Sequence, residues 1–199
     1  MSEPQSEPYR VHIVHAGSHS DFAEAVAVIA RQERKERDTP AIRVCVRHAK
    51  SPEELARELT EPAAAIVFTG HGTTDGTWFG GDDAYIRPDE IKSKAGRPIT
   101  TNGLILDACY AWSCCKEIER QSACKVAYLA PEGLAPYSHT WLVTVVLLAL
   151  LAPSSTLLCT ADEVKQGIKR GVEAAKTGWP KGHHGRWRYD ILSGTSATS

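Results

Sequence analysis

Two short apolar runs, each followed by a small polar motif, constrain the fold of this chain more than any other feature. Residues 63–69 are Ala-Ala-Ala-Ile-Val-Phe-Thr and lead into Gly-His-Gly, and residues 103–106 are Gly-Leu-Ile-Leu and lead into Asp-Ala-Cys. Continuous apolar runs of this length are typical of strands that are buried on both faces, as in a parallel sheet. They therefore predict an interior sheet in which one strand end carries a histidine and another a cysteine.

Strand-like and helix-like patterns alternate along the rest of the chain. Strands are predicted at residues 11–14, 42–46, 63–69, 103–106, 125–130 and, with an edge-like alternation, 186–192. Helices are predicted at residues 20–37, from 52 after a capping box, 88–94, 111–121, 138–151 and from 161 after a second capping box, with a hairpin near 80–83. This alternation predicts an α/β fold with a mostly parallel central sheet of about six strands and helices on both faces.

The length and composition predict a single globular domain at residues 10–199, preceded by a disordered polar lead-in at residues 1–9. A formal net charge of −1 gives no reason to expect a nucleic-acid partner. The most apolar stretch, 141–152, is shorter than the roughly 20 residues that span a bilayer, so we expect no membrane contact. The first residues lack a signal-peptide pattern, which favours a cytoplasmic location.

His71 and Cys109 both follow predicted strands, at the carboxyl ends where parallel sheets bind ligands. A thiol reacts as its thiolate, and a nearby imidazole can accept the thiol proton and later donate it. The backbone N–H groups of Gly72 and Cys109 are candidates for holding an oxyanion, since Gly72 has no side chain to block the approach of substrate. The predicted helix from residue 111 presents its positive end to the sulfur.

The order of the two motifs, with histidine first and cysteine 38 positions later, resembles the caspase-like cysteine peptidases. This group includes metacaspases, clostripain and bacterial CHAT domains. The resemblance implies a caspase-like three-layer sandwich and an endopeptidase with a dyad of His71 and Cys109, acting on proteins without a metal or other cofactor. Tyr110 and Ala111 depart from the histidine and serine of metacaspases, and the compact single chain looks more like the CHAT type.

Three acidic residues are candidates for substrate binding. The resemblance implies that Asp107, just before the Ala-Cys pair, helps form a pocket for arginine or lysine, and that Asp82 and Asp83 occupy positions where metacaspases also carry acids. The alternatives are a structural hydrogen bond for Asp107 and simple turn formation for the other two. Cleavage after a basic residue is therefore an expectation based on the resemblance.

Other functions remain as alternatives. A catalytically idle caspase-like interaction module is the main one, and the intact pair of His71 and Cys109 argues against it. A nucleotide hydrolase is disfavoured because no phosphate-binding loop of the Gly-x4-Gly-Lys-Ser/Thr type is present. Core thiols are a better interpretation of Cys114, Cys115 and Cys124 than a zinc site.

Control of the activity is expected to come from outside the dyad. Bacterial peptidases of this type resemble components of defence systems. Because the lead-in is short and no long cleavable linker follows Cys109, we expect gating by a regulatory protein partner or by ordering of the segment from Thr73 to Asn102. The alternative is a constitutively active enzyme with a very narrow substrate range.

Overall fold

The chain folds around one central sheet. The computed structural model describes residues 9–16, 24, 27–28, 42–134, 139–152, 160–177 and 186–195. Within these ranges the strands are β1 (Tyr9–Ala16), β2 (Ile42–Ala49), β3 (Ala65–Thr69), β4 (His71–Gly72), β5 (Phe79–Gly80), β6 (Gly103–Asp107), β7 (Val126–Pro131) and β8 (Trp187–Leu192). Each of the six predicted strands is therefore confirmed, and β1 and β2 extend beyond their predicted ends.

Six of these strands form the main sheet in the order β2-β1-β3-β6-β7-β8. The first five are parallel to one another, and β8 pairs antiparallel with β7 at the edge. Every residue of β3, β6 and β7 is buried, as their continuous apolar sequences require. In β8 only Leu192 is buried, which agrees with the edge position predicted from its alternation.

Five α-helices are described over their full length: α1 (Pro52–Thr60), α2 (Ile91–Ala95), α3 (Cys115–Gln121), α4 (His139–Leu151) and α5 (Ala161–Thr177). Short 3-10 turns precede α2 and α3, at Pro88–Glu90 and Ala111–Cys114. The hydroxyls of Ser51 and Thr160 accept backbone N–H groups at the starts of α1 and α5, as both capping boxes predict. Of the predicted helix at 20–37, only residues 24, 27 and 28 are described, and all three are helical.

Helices cover both faces of the sheet and produce three layers. One core contains Val67 and Ile105 from the sheet, packed with apolar residues of α4 and α5. The other contains Phe68 and Leu106, packed with residues of α1, α2 and α3. The fold class is therefore the one predicted, an α/β sandwich of helices, sheet and helices that agrees with a caspase-like architecture.

The apolar helix α4 has thirteen residues and lies in the core of the first face. No helix within the described ranges is both long and apolar enough to cross a membrane.

The stretch between β3 and β6 contains a second, smaller sheet. In it, β4 and β5 pair antiparallel, with His71 opposite Gly80 and Gly72 opposite Phe79. A single bridge between Phe79 and Ile86 extends it, so residues 79–86 form the hairpin predicted near 80–83. This small sheet holds the predicted histidine.

Candidate active site

The two strand ends that carry the predicted pair are neighbours in the sheet. β3 and β6 run parallel, with Thr69 beside Asp107. The N–H of Gly70 donates to the carbonyl of Asp107 at 3.1 Å, which ties the two chain exits together. His71 and Cys109 each lie two residues beyond this register pair, so the structure brings both to the same edge of the sheet.

Gly72 lies directly against Cys109. A Cβ placed on Gly72 would overlap the carbonyl oxygen of Cys109 and would lie 3.0 Å from its backbone nitrogen. Only glycine allows this approach of two backbones. The histidine-bearing strand β4 and the cysteine-bearing turn are thereby held together through main-chain contact.

The direction of the Gly72 N–H follows from the pairing of the small sheet. Phe79, which lies opposite Gly72, uses both its N–H and its C=O on Ile86, at 3.1 and 2.9 Å. In an antiparallel ladder, the backbone groups of a strand alternate between its two sides. The N–H of Gly72 therefore points away from β5.

A tight turn positions Cys109. Tyr110 adopts the left-handed conformation, with φ 56° and ψ 14°, and its N–H donates to the carbonyl of Gly133 at 2.9 Å. The N–H of Ala111 donates to Ala108 at 3.2 Å, which begins the 3-10 turn. The predicted helix at 111–121 thus begins as a 3-10 turn, and its regular α-helical part begins only at Cys115. Cys109 is half-buried and His71 is exposed, so a ligand from solvent can reach both.

Asp107 is buried and makes a structural hydrogen bond. Its side chain is 5% exposed, and Oδ2 accepts the Thr69 hydroxyl at 3.2 Å. The structural alternative for Asp107 is thus present in the molecule. A carboxylate can accept several hydrogen bonds, so this contact leaves the role in substrate binding open.

A row of polar side chains extends across the sheet from the neighbouring residues Thr69 and Asp107. His15 is buried at the end of β1, next in register to Thr69 on one side and to His48 of β2 on the other. The rings of His15 and His48 stack with centroids 4.5 Å apart and planes 12° from parallel. From their sequence position, residues 15–19 are a candidate lining of the substrate pocket at this edge, and a helix cap at Ser18 or Ser20 is the simpler alternative. Of these only residues 15 and 16 are described, and His48 was missed because its place depends on the register between β1 and β2.

The loop of residues 73–78, which joins β4 to β5, is held from both sides. The carboxylate of Asp75 accepts from the hydroxyls of Thr73 and Thr77 and from the N–H of Thr77, at 2.6 to 3.1 Å. The hydrogen bond from Thr73, followed by those from Thr77, lowers the pKa of Asp75 to about 2. On the other side, the Cys114 thiol donates to the carbonyl of Gly76 at 3.1 Å. The contact between Cys114 and Gly76 connects the loop to the 3-10 turn that follows Cys109.

Asp82 and Asp83 lie at the exposed tip of the hairpin. The N–H of Ala84 donates to Gly81 at 2.9 Å, and Asp82 has a φ of 46°, so the two acids occupy a tight turn. This geometry agrees with the turn-forming alternative.

The segment from Thr73 to Asn102 contains β5, the hairpin and α2, joined by turns and loops. Gating by ordering of this segment stays a prediction.

The remaining cysteines are placed as core or partly buried residues. Burial is the main cause that raises the pKa of the Cys114 thiol to about 11, and burial also raises the pKa of Cys124. No disulfide and no cluster of potential metal ligands occurs within the described ranges. Cys159, whose apolar surroundings in sequence predict a core residue, lies outside those ranges, as do His183 and His184, for which a flexible basic loop is a better interpretation than a metal site.

The chain was compared with known proteins. No protein-family model matches it. No curated protein matches its sequence either.

Proposed function

We propose that this protein is a cysteine endopeptidase that cleaves protein substrates with Cys109 and His71. The observation that carries the proposal is the main-chain contact between Gly72 and Cys109. It joins the strand with the imidazole to the turn with the thiol, at the edge where parallel sheets bind ligands. Both side chains are accessible from solvent, as a dyad acting on a polypeptide requires.

The first half of the proposed reaction forms a thioester. The Cys109 thiol gives its proton to His71, and the thiolate attacks the carbonyl carbon of the peptide bond. The developing oxyanion is stabilised by backbone N–H groups, for which Gly72 and Cys109 are the candidates. The N–H of Gly72, directed away from β5, is available for this role. The carbon–nitrogen bond then breaks, and His71 returns the proton to the leaving amine.

The second half releases the acid product. A water molecule gives a proton to His71 and attacks the thioester carbonyl, and the carbon–sulfur bond breaks. The Cys109 sulfur leaves as a thiolate and takes the proton back from His71. These steps need only the dyad, water and hydrogen-bond donors.

Cleavage after arginine or lysine is part of the proposal. The buried carboxylate of Asp107 is two residues before the nucleophile, and it would pair with a basic side chain if the substrate reaches it. Asp82 and Asp83, at the tip of the hairpin, would add a negative electrostatic potential that attracts a basic side chain of the substrate. The buried environment of Asp107 makes such an ion pair stronger than one at an open surface.

We place this activity in the cytoplasm, as an effector protease of a bacterial defence or signalling system that a protein partner switches on. The control acts through binding of the partner or through ordering of residues 73–102 beside the site. Partner control predicts slow turnover by the purified chain and faster turnover when the partner is added.

The decisive experiment profiles newly formed protein termini and peptide-library cleavage. It compares the wild type with Cys109→Ala and His71→Ala, both as purified chains and in the cells that encode the protein. Each substitution should abolish cleavage, because the members of a dyad act as a unit. Cys115→Ser is the matched control, since Cys115 is also half-buried and its loss should leave cleavage in place. Cleavage retained by Cys109→Ala would refute the proposal, and a complete lack of Cys109-dependent products would favour the idle interaction module.

A further inference from the structure

The outer face of the small sheet carries the catalytic histidine together with an exposed tryptophan. Successive residues of a strand alternate between faces, and residues directly opposite each other in an antiparallel pair share a face. Phe79 is fully buried against Phe68, so Trp78 and Gly80 belong to the outer face. His71 lies opposite Gly80 and is exposed on that same face.

Trp78 is therefore a diagonal neighbour of His71. Such neighbours lie about 7–8 Å apart, a distance that aromatic side chains can bridge. Gly80, directly opposite His71, has no side chain, and a Cβ there would lie 2.7 Å from the Cα of Tyr85. Such a Cβ would also overlap the carbonyl oxygen of Ala84, so the backbone of residues 84–85 packs against Gly80 on this side of the small sheet.

The backbone of Trp78 is fixed by two hydrogen bonds to Thr73, and its indole ring has a cation contact. The carbonyl of Trp78 accepts from the N–H of Thr73 at 3.1 Å, and the N–H of Trp78 donates to the Thr73 hydroxyl at 3.2 Å. Thr73 is in turn bonded to Asp75. The guanidinium of Arg87 lies 5.8 Å from the centroid of the ring. Trp78 is 38% exposed, and an indole with only two side-chain torsions binds a ligand with little loss of conformational entropy.

The cation beside the indole is itself paired. Arg87 donates two hydrogen bonds to Asp89, at 3.0 and 2.9 Å, so its positive charge is compensated. The indole itself is a large apolar aromatic surface, which pairs well with apolar or aromatic side chains.

From this arrangement we infer that Trp78 is a specificity-determining residue, which binds a bulky apolar or aromatic side chain of the substrate just after the bond that is cut. The inference rests on the proposed function. There, His71 protonates the leaving amine, so the leaving part of the substrate must cross the face that carries His71. An extended chain advances about 3.3 Å per residue, so the indole is within reach of the first or second residue after the cut.

The test uses two internally quenched peptides with the same acyl half, taken from a library cleavage site. One continues with Phe-Leu after the cut and the other with Gly-Gly. We expect wild-type kcat/KM to be at least tenfold higher for the Phe-Leu peptide. Trp78→Ala should bring this ratio to within twofold of one, and Trp78→Phe should retain it. Leu134→Ala is the matched control, because Leu134 is an exposed apolar residue outside the small sheet, and it should leave the ratio unchanged.

A second measurement needs no turnover. The Trp78 indole N–H signal, assigned with Trp78→Phe, should shift in NMR spectra of Cys109→Ala when the Phe-Leu leaving half is added, and should not shift with Gly-Gly. An unchanged signal with both peptides, or a preference that survives Trp78→Ala, would overturn the inference while Cys109-dependent cleavage leaves the proposed function standing. A lack of Cys109-dependent cleavage of any peptide would refute the proposed function, and the inference with it.

Discussion

Gly72 and Cys109 are in backbone contact, with no room between them for a single methyl group. The contact involves main-chain atoms only, so it does not depend on the rotamer of the thiol or the imidazole. It fixes the distance between the strand that carries His71 and the turn that carries Cys109. Any reaction that uses both side chains depends on this spacing.

Gly72→Ala should separate the two strand ends. We expect a loss of about 1–3 kcal/mol in the free energy of unfolding, because the added methyl group is forced into packed backbone. We expect kcat/KM to fall about 100-fold, as displacements of about 1 Å at a catalytic site can cause. Urea unfolding and peptide cleavage measure the two effects. Gly133→Ala is the control: a Cβ there meets no atom within 4 Å, so its stability should change by less than about 0.5 kcal/mol.

The hydrogen bond between Thr69 and Asp107 should contribute measurably to stability. Thr69→Val keeps the shape of the side chain and leaves a buried carboxylate without this donor, which should cost about 1–3 kcal/mol. Thr69→Ser keeps the hydroxyl and should lose less. Equal urea midpoints for the valine and serine variants would show that the hydrogen bond contributes little.

Asp107→Asn tests the role of the carboxylate in substrate binding. The amide keeps an acceptor for Thr69 but removes the charge that would pair with arginine or lysine. We expect the preference of the protein for basic residues before the cut, measured with a fluorogenic peptide panel, to fall at least tenfold in this variant. A preference that stays the same in the variant, or a wild-type preference for aspartate at that position, would contradict the pocket role.

The cysteines near the site should differ in reactivity. Cys114 is 4% exposed and its thiol pKa is raised to about 11, so very little thiolate is present at pH 8. Brief treatment with iodoacetamide should therefore leave Cys114 unmodified, whereas the half-buried Cys109 and Cys115 are accessible to the reagent. Mass spectrometry of the digested protein measures the modification of each residue. Labelling of Cys114 at the same rate as Cys115 in the native protein would contradict the burial that the structure describes.

Much of the fold could be predicted because its signals are local. Ser51 with Pro52 and Glu54 predicts the start of a helix from three neighbouring residues, and Thr160 with Glu163 predicts another. The apolar runs that form β3 and β6 predict interior strands in the same way. The polar residues that follow them predict the functional edge, because parallel strands share one carboxyl end.

The rest of the site depends on contacts that no local pattern contains. The strands β4 and β5 have two residues each, too short for any periodicity to appear. The exposed position of Trp78 follows only from its pairing relative to Phe79. The hydrogen bond from Thr69 to Asp107 likewise depends on the register between β3 and β6. Two residues that are 38 apart in sequence meet only after the sheet has formed.

His12 is a buried histidine, and within the described part of the chain no hydrogen bond offsets the burial of its ring nitrogens. It is 2% exposed in β1, and among the described residues neither ring nitrogen has a hydrogen-bond partner. Burial is the main cause that lowers the pKa of His12; the charge of Arg47 lowers it further, Glu61 raises it, and Arg10 adds a smaller lowering. Together these effects favour the neutral form of the imidazole in the folded protein.

This position should make the fold sensitive to mild acid. The pKa of His12 is lower in the folded state than its unfolded value of 6.5. The stability linked to the neutral imidazole is therefore fully present above pH 6.5, and it is lost as the pH falls through the folded pKa. His12→Leu removes the titration and the two uncompensated nitrogens, so we expect it to be as stable as the wild type at pH 7.5, or more so. As the pH falls to 5, the wild type should lose stability relative to His12→Leu. The difference between their free energies of unfolding should grow by at most about 1.4 kcal/mol per pH unit. Urea unfolding of both proteins at a series of pH values measures this difference, and parallel stability curves between pH 5 and 7.5 would show that His12 is hydrated or partnered in solution.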